Sequence, residues 1–164
     1  MYKVFCVLGI MLLALVATGC TSPSEKVAET IIESQTNGDV DVDVDNETVS
    51  INTDGGSFQS GEDVTLPDGF PSDVHVAEGT LVSAIHVTDP DGYSVSLNSS
   101  DSVTDLKSEY QSAIVDDGWT ILGTYEVSGS VSFTAEKDNR TLSVTIGATD
   151  DQSSVVISTS TDSE

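Results

Sequence analysis

The sequence predicts an α+β fold: an antiparallel sheet with one main packed helix, in the order hairpin, helix, meander, preceded by a short helix and a small β-meander. Three observations predict it. Six segments after residue 80 have strand length and alternate apolar with polar residues between turn-forming residues. A single stretch near residues 103–116 carries helical spacing instead. The connections between strands are short, which favours antiparallel neighbours.

Leu81 to Thr88 and Tyr93 to Asn98 read as two strands of a hairpin. Asp89-Pro90-Asp91-Gly92 joins them, with Pro fixing one φ and Gly allowing a positive one. Ser100-Asp101-Ser102 then offers caps for a helix reaching about Asp116, and Gly118 ends it. Val103, Leu106, Tyr110, Ala113 and Ile114 share one face of that helix, so it should cover a sheet. Trp119 to Val127, Val131 to Glu136, Thr141 to Gly147 and Ser154 to Thr159 follow as a meander. Gly129-Ser130, Lys137 to Arg140 and Asp150-Asp151 separate these strands. Trp119, Tyr125 and Phe133 are expected in the core.

Ahead of this domain, 77–160, lies a Pro-containing connector, 61–76, whose Phe70 should insert as an apolar anchor. Residues 25–60 read as a short amphipathic helix, with Val27, Ala28, Ile31 and Ile32 on one face, and then three short strands. Asp39 to Asp45 alternates Asp with Val, so the carboxylates should share one face of a strand and the valines the other. Thr48 to Asn52 pairs with it as a hairpin, and a third strand runs from Ser57 to Ser60. This helix and meander resemble an N-terminal segment of prokaryotic lipoproteins. The run from Tyr110 to Trp119 resembles the helix-to-strand junction of small extracytoplasmic helix-on-sheet modules in such proteins.

Residues 1–19 read as an export signal: Lys3 near the amino terminus, an apolar stretch from Val4 to Ala17, then small residues before a cysteine. The uncharged run is shorter than the roughly 18 to 20 residues that span a bilayer core. Val16-Ala17-Thr18-Gly19-Cys20 resembles the lipobox of prokaryotic lipoproteins, with Ala17 where that family usually carries Leu. The resemblance implies that Cys20 becomes the first residue of the exported chain, that its thiol carries the lipid, and that 20–24 serve as a tether. Each buried methylene contributes about 0.8 kcal/mol, and two acyl chains hold stably where one is marginal. Cys6 would leave with the signal and Cys20 would be blocked, so the processed chain would contain no free thiol. Thr21, in place of Asp, is compatible with delivery to an outer membrane.

The chain of 164 residues carries 28 Asp and Glu against 5 Lys and Arg, a net charge of −23. Loss of residues 1–19 removes Lys3 and no acid, leaving −24. Such a balance opposes nucleic-acid binding, which needs a basic footprint, and opposes direct contact with anionic headgroups. Salt would screen the self-repulsion, which fits a saline setting.

Chemistry is sparsely signalled. Asp39, Asp41, Asp43 and Asp45 suggest calcium, yet Asn46 and Asn52 stand where a calcium loop needs Gly and Glu, and strand spacing holds the carboxylates about 7 Å apart. His75 and His86, near Asp73 and Asp89, fall short of the three or four ligands a metal centre requires. No nucleophile elbow, metallohydrolase helix or phosphate loop is present in the sequence. Lys137 and Arg140 read as a solvated turn.

The expectation is therefore a protein anchored through lipid at Cys20, outside the cytoplasmic membrane or on the outer membrane, acting as a non-enzymatic binding domain. It has no catalytic residues, metal centre or cofactor in this reading. A partner, such as an envelope protein, would meet the sheet edge or the open face of the meander. A structural or divalent-cation-dependent adhesive role is the alternative.

Overall fold

The computed structural model describes residues 40–45 and 47–161. The signal segment, Cys20, the tether and the helix expected within 25–34 lie outside the described residues. The described chain forms β1 (Val40–Asp45), β2 (Thr48–Thr53), β3 (Gly56–Ser60), β4 (Thr80–Thr88), β5 (Asp91–Ser99), α1 (Val103–Asp116), β6 (Thr120–Val127), β7 (Ser130–Lys137), β8 (Arg140–Ala148) and β9 (Ser153–Thr161). All nine strands join one antiparallel sheet in the order β1-β2-β3-β4-β5-β9-β8-β7-β6. The hairpin, helix and meander are thus present, but the sheet is larger than a simple meander. β3 pairs with β4 from Gly56↔Val87 to Ser60↔Ser83, so the first three strands extend the same sheet.

Helix α1 starts where Ser102 Oγ accepts the Asp105 amide at 3.2 Å and donates to the Asp105 carboxylate at 2.7 Å. It stops at Gly118, whose φ of 85° suits a residue without Cβ. The Gly118 amide donates to the Val115 carbonyl and the Trp119 amide to that of Ile114, which satisfies the last turn and aims the chain into β6. Between β4 and β5 the turn consists of Asp89 and Pro90 alone, joined by a cis peptide bond. Gly92, expected at a positive φ, lies inside β5 instead and is buried beside Ser160 and Val87.

The core sits between the sheet and α1, which lies over β6, β7 and β8. Leu106, Tyr110 and Ile114 descend from the helix onto Phe133, Ala135, Val144, Ile146, Val155 and Ile157, all of them buried. The connector crosses the same side of the sheet, where Val64, Val74 and Ala77 are buried and Phe70 packs edge-on against Tyr93 at 5.8 Å between centroids. Trp119 and Phe133 are in this core as their sequence context predicts. Tyr125 is not; it is 81 % exposed. Its strand, β6, is bulged between Ile121 and Gly123, and the slipped register sends Tyr125 to the side away from the helix, opposite Ser132.

Gly56 places the junction of β3 with β4 under a strict backbone demand. Its φ is 143°, and a Cβ there would lie 2.0 Å from the His86 carbonyl oxygen. Gly56→Ala must therefore part the two strands, with an expected loss of about 2 kcal/mol or more in urea unfolding. An unchanged midpoint would contradict this pairing.

Candidate functional site

Strand registers assign every side chain to one of two faces. On the helix side lie the core residues, and with them Asp41, Asp43, Glu126, Lys137 and Arg140. On the other side lie Val44, Ile51, Phe58, Ile85 and Val87 at one end, and Tyr125 and Val127 at the far end. Between them run serines and threonines of β5, β9, β8 and β7. Of the strand residues directed to this second face, Glu136 alone carries a charge, in a chain of net charge −23. Among the described residues no element crosses it from β4 to β6.

The exposed large apolar residues concentrate there. Val44, Val87, Tyr125, Val127 and Val156 are five of the eight, so the face combines uncharged polarity with accessible apolar surface. It is also concave. A trough of about 620 Å³ runs over its centre, with Ile85 and Val87 on one bank and Ser94, Ser158, Ser143 and Thr134 along the floor. Its hydroxyls are largely paired across strands: Ser94 with Ser158 at 2.9 Å, Thr141 with Ser160 at 3.2 Å, and nearby Ser83 with Ser96 at 2.6 Å and Ser132 with Thr145 at 3.0 Å. Hydroxyls already bonded to one another lose less on leaving water than unpaired ones. The face can therefore be covered by an uncharged surface at modest cost.

The two histidines fall into separate settings. His75 Nε2 meets Glu109 Oε1 at 2.6 Å and its ring lies edge-on to Tyr110. His86 stacks on Tyr93 at 4.4 Å and bonds Asp91 at 3.0 Å. Neither takes the acid nearest in sequence, Asp73 or Asp89. His86 also borders a polar pocket of about 270 Å³ formed where residues 65–68 pass over Asn52, Ser57 and Gln59. Among the described residues no three His, Cys, Asp or Glu side chains converge on a metal-sized point. Asp41 and Asp43 share one face and Val42 and Val44 the other, as the alternation implies; Val42 is buried there and Val44 is exposed. Asp39 lies outside the described residues.

Lys137 and Arg140, expected as a solvated turn, are instead clamped. Asp73 on the connector accepts from Lys137 Nζ at 2.6 Å and from both terminal nitrogens of Arg140, the Nη1 bond being 3.0 Å. The Arg140 guanidinium also lies 4.8 Å from the centre of the Trp119 ring, whose indole N–H donates to the Asp73 carbonyl at 2.6 Å. Bonding to Arg140 and Lys137 outweighs partial burial and holds the Asp73 carboxyl far below the usual carboxylate range. This cluster ties the connector to the β7–β8 turn and leaves neither cation free for a ligand.

Sequence spacing missed the hydroxyl face, although its signal is legible. Ser94 and Ser96, Ser143 and Thr145, and Ser158 and Ser160 occupy the polar positions of strands whose other positions are Val, Leu or Ile. In so acidic a chain, an outward row without carboxylates is the departure to look for.

Residues 81–162, half of the chain, match the START domain-like family. The chain belongs to the START domain-like family. No curated protein and no solved structure matches it. The matched part of this START domain-like chain runs from β4 to the end of β9 and supplies most of the uncharged face. On the helix side of the START domain-like part Leu106, Tyr110, Ile114 and Phe133 are all buried in one apolar cluster.

Proposed function

We propose that this protein is a lipid-anchored extracytoplasmic binding domain, held to a membrane through Cys20 and engaging its partner with the helix-free face of the sheet. The observation that carries the reading is that face: concave, partly apolar, and uncharged but for Glu136 in a molecule of net charge −23. A surface left to water alone would be expected to share the acidity of the rest. Membership in the START domain-like family favours binding over catalysis. The lipobox-like segment ending at Cys20 supplies the anchor, and the lipid does the positioning. The reading involves no catalytic residue, metal or cofactor.

The experiment uses the absence of free thiols expected after processing. Ser143→Cys places one thiol in the trough, and Ser112→Cys places one on the exposed side of α1. Each variant is treated with a maleimide on native membranes and again after detergent purification. Labelling at position 143 should be at least tenfold slower on membranes, with position 112 reacting equally in both states. Equal rates at both positions would reject occupancy of this face. Cys20→Ser should shift the protein from the membrane to the soluble fraction, and its retention after carbonate washing would reject the anchor.

A further inference from the structure

We infer that the β6 edge of the sheet docks an extended segment of another protein, added as a further strand with an aromatic side chain laid over Gly123. The inference goes beyond the reading above and does not depend on the helix-free face being occupied. Main-chain groups provide the first argument. Among the described residues β6 ends the sheet and pairs with β7 alone. The two-residue turn Ser128-Gly129 makes Val127 and Ser130 a hydrogen-bonded pair. By alternation Tyr125 also bonds inward, while Thr124 and Glu126 turn their N–H and C=O groups outward. The occupant that matches such a periodic row is another extended backbone.

Exposure and charge provide the second. Edges that must stay unpaired are blunted by bare charges, proline or short length. At the opposite end of the sheet β1 fits that description, since every second residue in it is Asp. β6 does not: its eight residues include no proline and one carboxylate, Glu126, which Lys107 holds at 2.5 Å. Its bulge at Leu122 leaves residues 123–127 as a regular edge. Tyr125 and Val127, 81 % and 70 % exposed, are the two most exposed large apolar side chains among the described residues, and both stand on this stretch.

Gly123 provides the third. Glycine inside a strand weakens it and marks places where another chain approaches closely. The fold does not ask for glycine here, because its φ lies outside the left-handed region and a Cβ would meet no atom within 4 Å. The missing side chain leaves a notch on the helix-free side, in line with Tyr125 and Val127. An aromatic ring on a neighbouring strand covers such a glycine. β7 sets Thr134 opposite Gly123, so the ring must come from a strand beyond β6. The partner segment therefore alternates, with its aromatic and apolar residues on the side of Tyr125 and polar residues on the side of Thr124. Against a molecule of net charge −23, lysines or arginines in the segment favour its approach and acids oppose it.

The test uses the lipidated full chain in detergent at about 0.15 M NaCl and a fluorescein-labelled peptide, Lys-Thr-Val-Thr-Phe-Thr-Val-Thr-Lys. Its anisotropy should saturate below about 1 mM protein. The same peptide with its central amide nitrogens methylated, equal in charge, should bind at least tenfold weaker. Gly123→Val fills the notch and should weaken binding of the unmethylated peptide at least fivefold without lowering the urea midpoint. Should that variant lose its fold by circular dichroism, Tyr125→Lys should show the same weakening, and Ser100→Lys, of equal charge at the end of β5, should not. Bound peptide should slow amide exchange at Thr124 and Glu126 at least tenfold and leave β1 unchanged. Absence of saturation, equal affinity for the methylated peptide, or wild-type affinity in Gly123→Val overturns the inference. None of these outcomes bears on maleimide labelling of Ser143→Cys, so the helix-free face stands or falls separately.

Discussion

Tyr110→Ala is expected to cost about 3–5 kcal/mol of unfolding free energy, the range for deleting a buried aromatic ring. Tyr110 is 1 % exposed at the middle of α1, wedged between the helix, the sheet and the connector. Its ring bears edge-on on His75, and its hydroxyl accepts the Ala77 amide at 3.1 Å. Burial pushes its hydroxyl pKa up to about 12, so the phenol stays neutral throughout the range in which the protein is handled. Loss of the ring opens a cavity where three elements meet and leaves the Ala77 N–H without its partner. Tyr110→Phe keeps the packing and removes only the acceptor, so it should cost about 1–2 kcal/mol. Urea unfolding of the two variants separates ring from hydroxyl. A Tyr110→Ala loss under about 1 kcal/mol would mean that the connector does not seat on the helix as described.

Asp73→Asn is expected to cost about 2 kcal/mol at neutral pH. The value lies between the small contribution of exposed ion pairs and the 3–5 kcal/mol lost when a fully buried pair is broken, because Asp73 and its two cations are each about a quarter exposed. The variant keeps the Trp119 bond to the residue 73 carbonyl but strands Lys137 and Arg140 beside the indole. The acid limb of stability carries the sharper signature. The folded-state pKa of Asp73 is depressed from 3.8, so its contribution is fully present above that value and is lost as pH falls toward the folded pKa. Between pH 5 and 2 the wild-type protein should therefore lose much of the difference that separates it from Asp73→Asn, and the two stability curves should draw together, the remainder being lost below pH 2. Parallel curves over that interval would show that the clamp does not set acid stability.

Most of the fold is legible in the residues because each segment satisfies local demands by itself. The strands from β4 to β9 show their period directly, and α1 is bounded by Ser102 and Gly118, whose capping bonds are local. The pairing of β3 with β4 was not legible. It depends on a connector of nineteen residues, 61–79, and on Gly56 lying under the His86 carbonyl, a contact that no window of sequence contains. Tyr125 misled for a related reason: alternation alone cannot locate the bulge at Leu122, and a slip of one residue exchanges the faces. The Asp73 clamp joins positions 64 and 67 residues apart, so proximity in sequence pointed instead to His75. The uncharged face was legible in part, since its serines and threonines sit at alternate positions, but only strand order brings β5, β9 and β8 side by side to make one surface.

That strand order also governs how the molecule can come into being. The final nine-residue strand, β9, lies between β5 and β8 and is hydrogen-bonded to both. Until it arrives, the amino-terminal hairpins and the carboxy-terminal ones have no ladder in common, and both carry raw inner edges. A chain emerging amino terminus first must stay unsealed until residues 153–161 are free. Any truncation before Ser153 would yield two unjoined half-sheets rather than a slightly shorter protein.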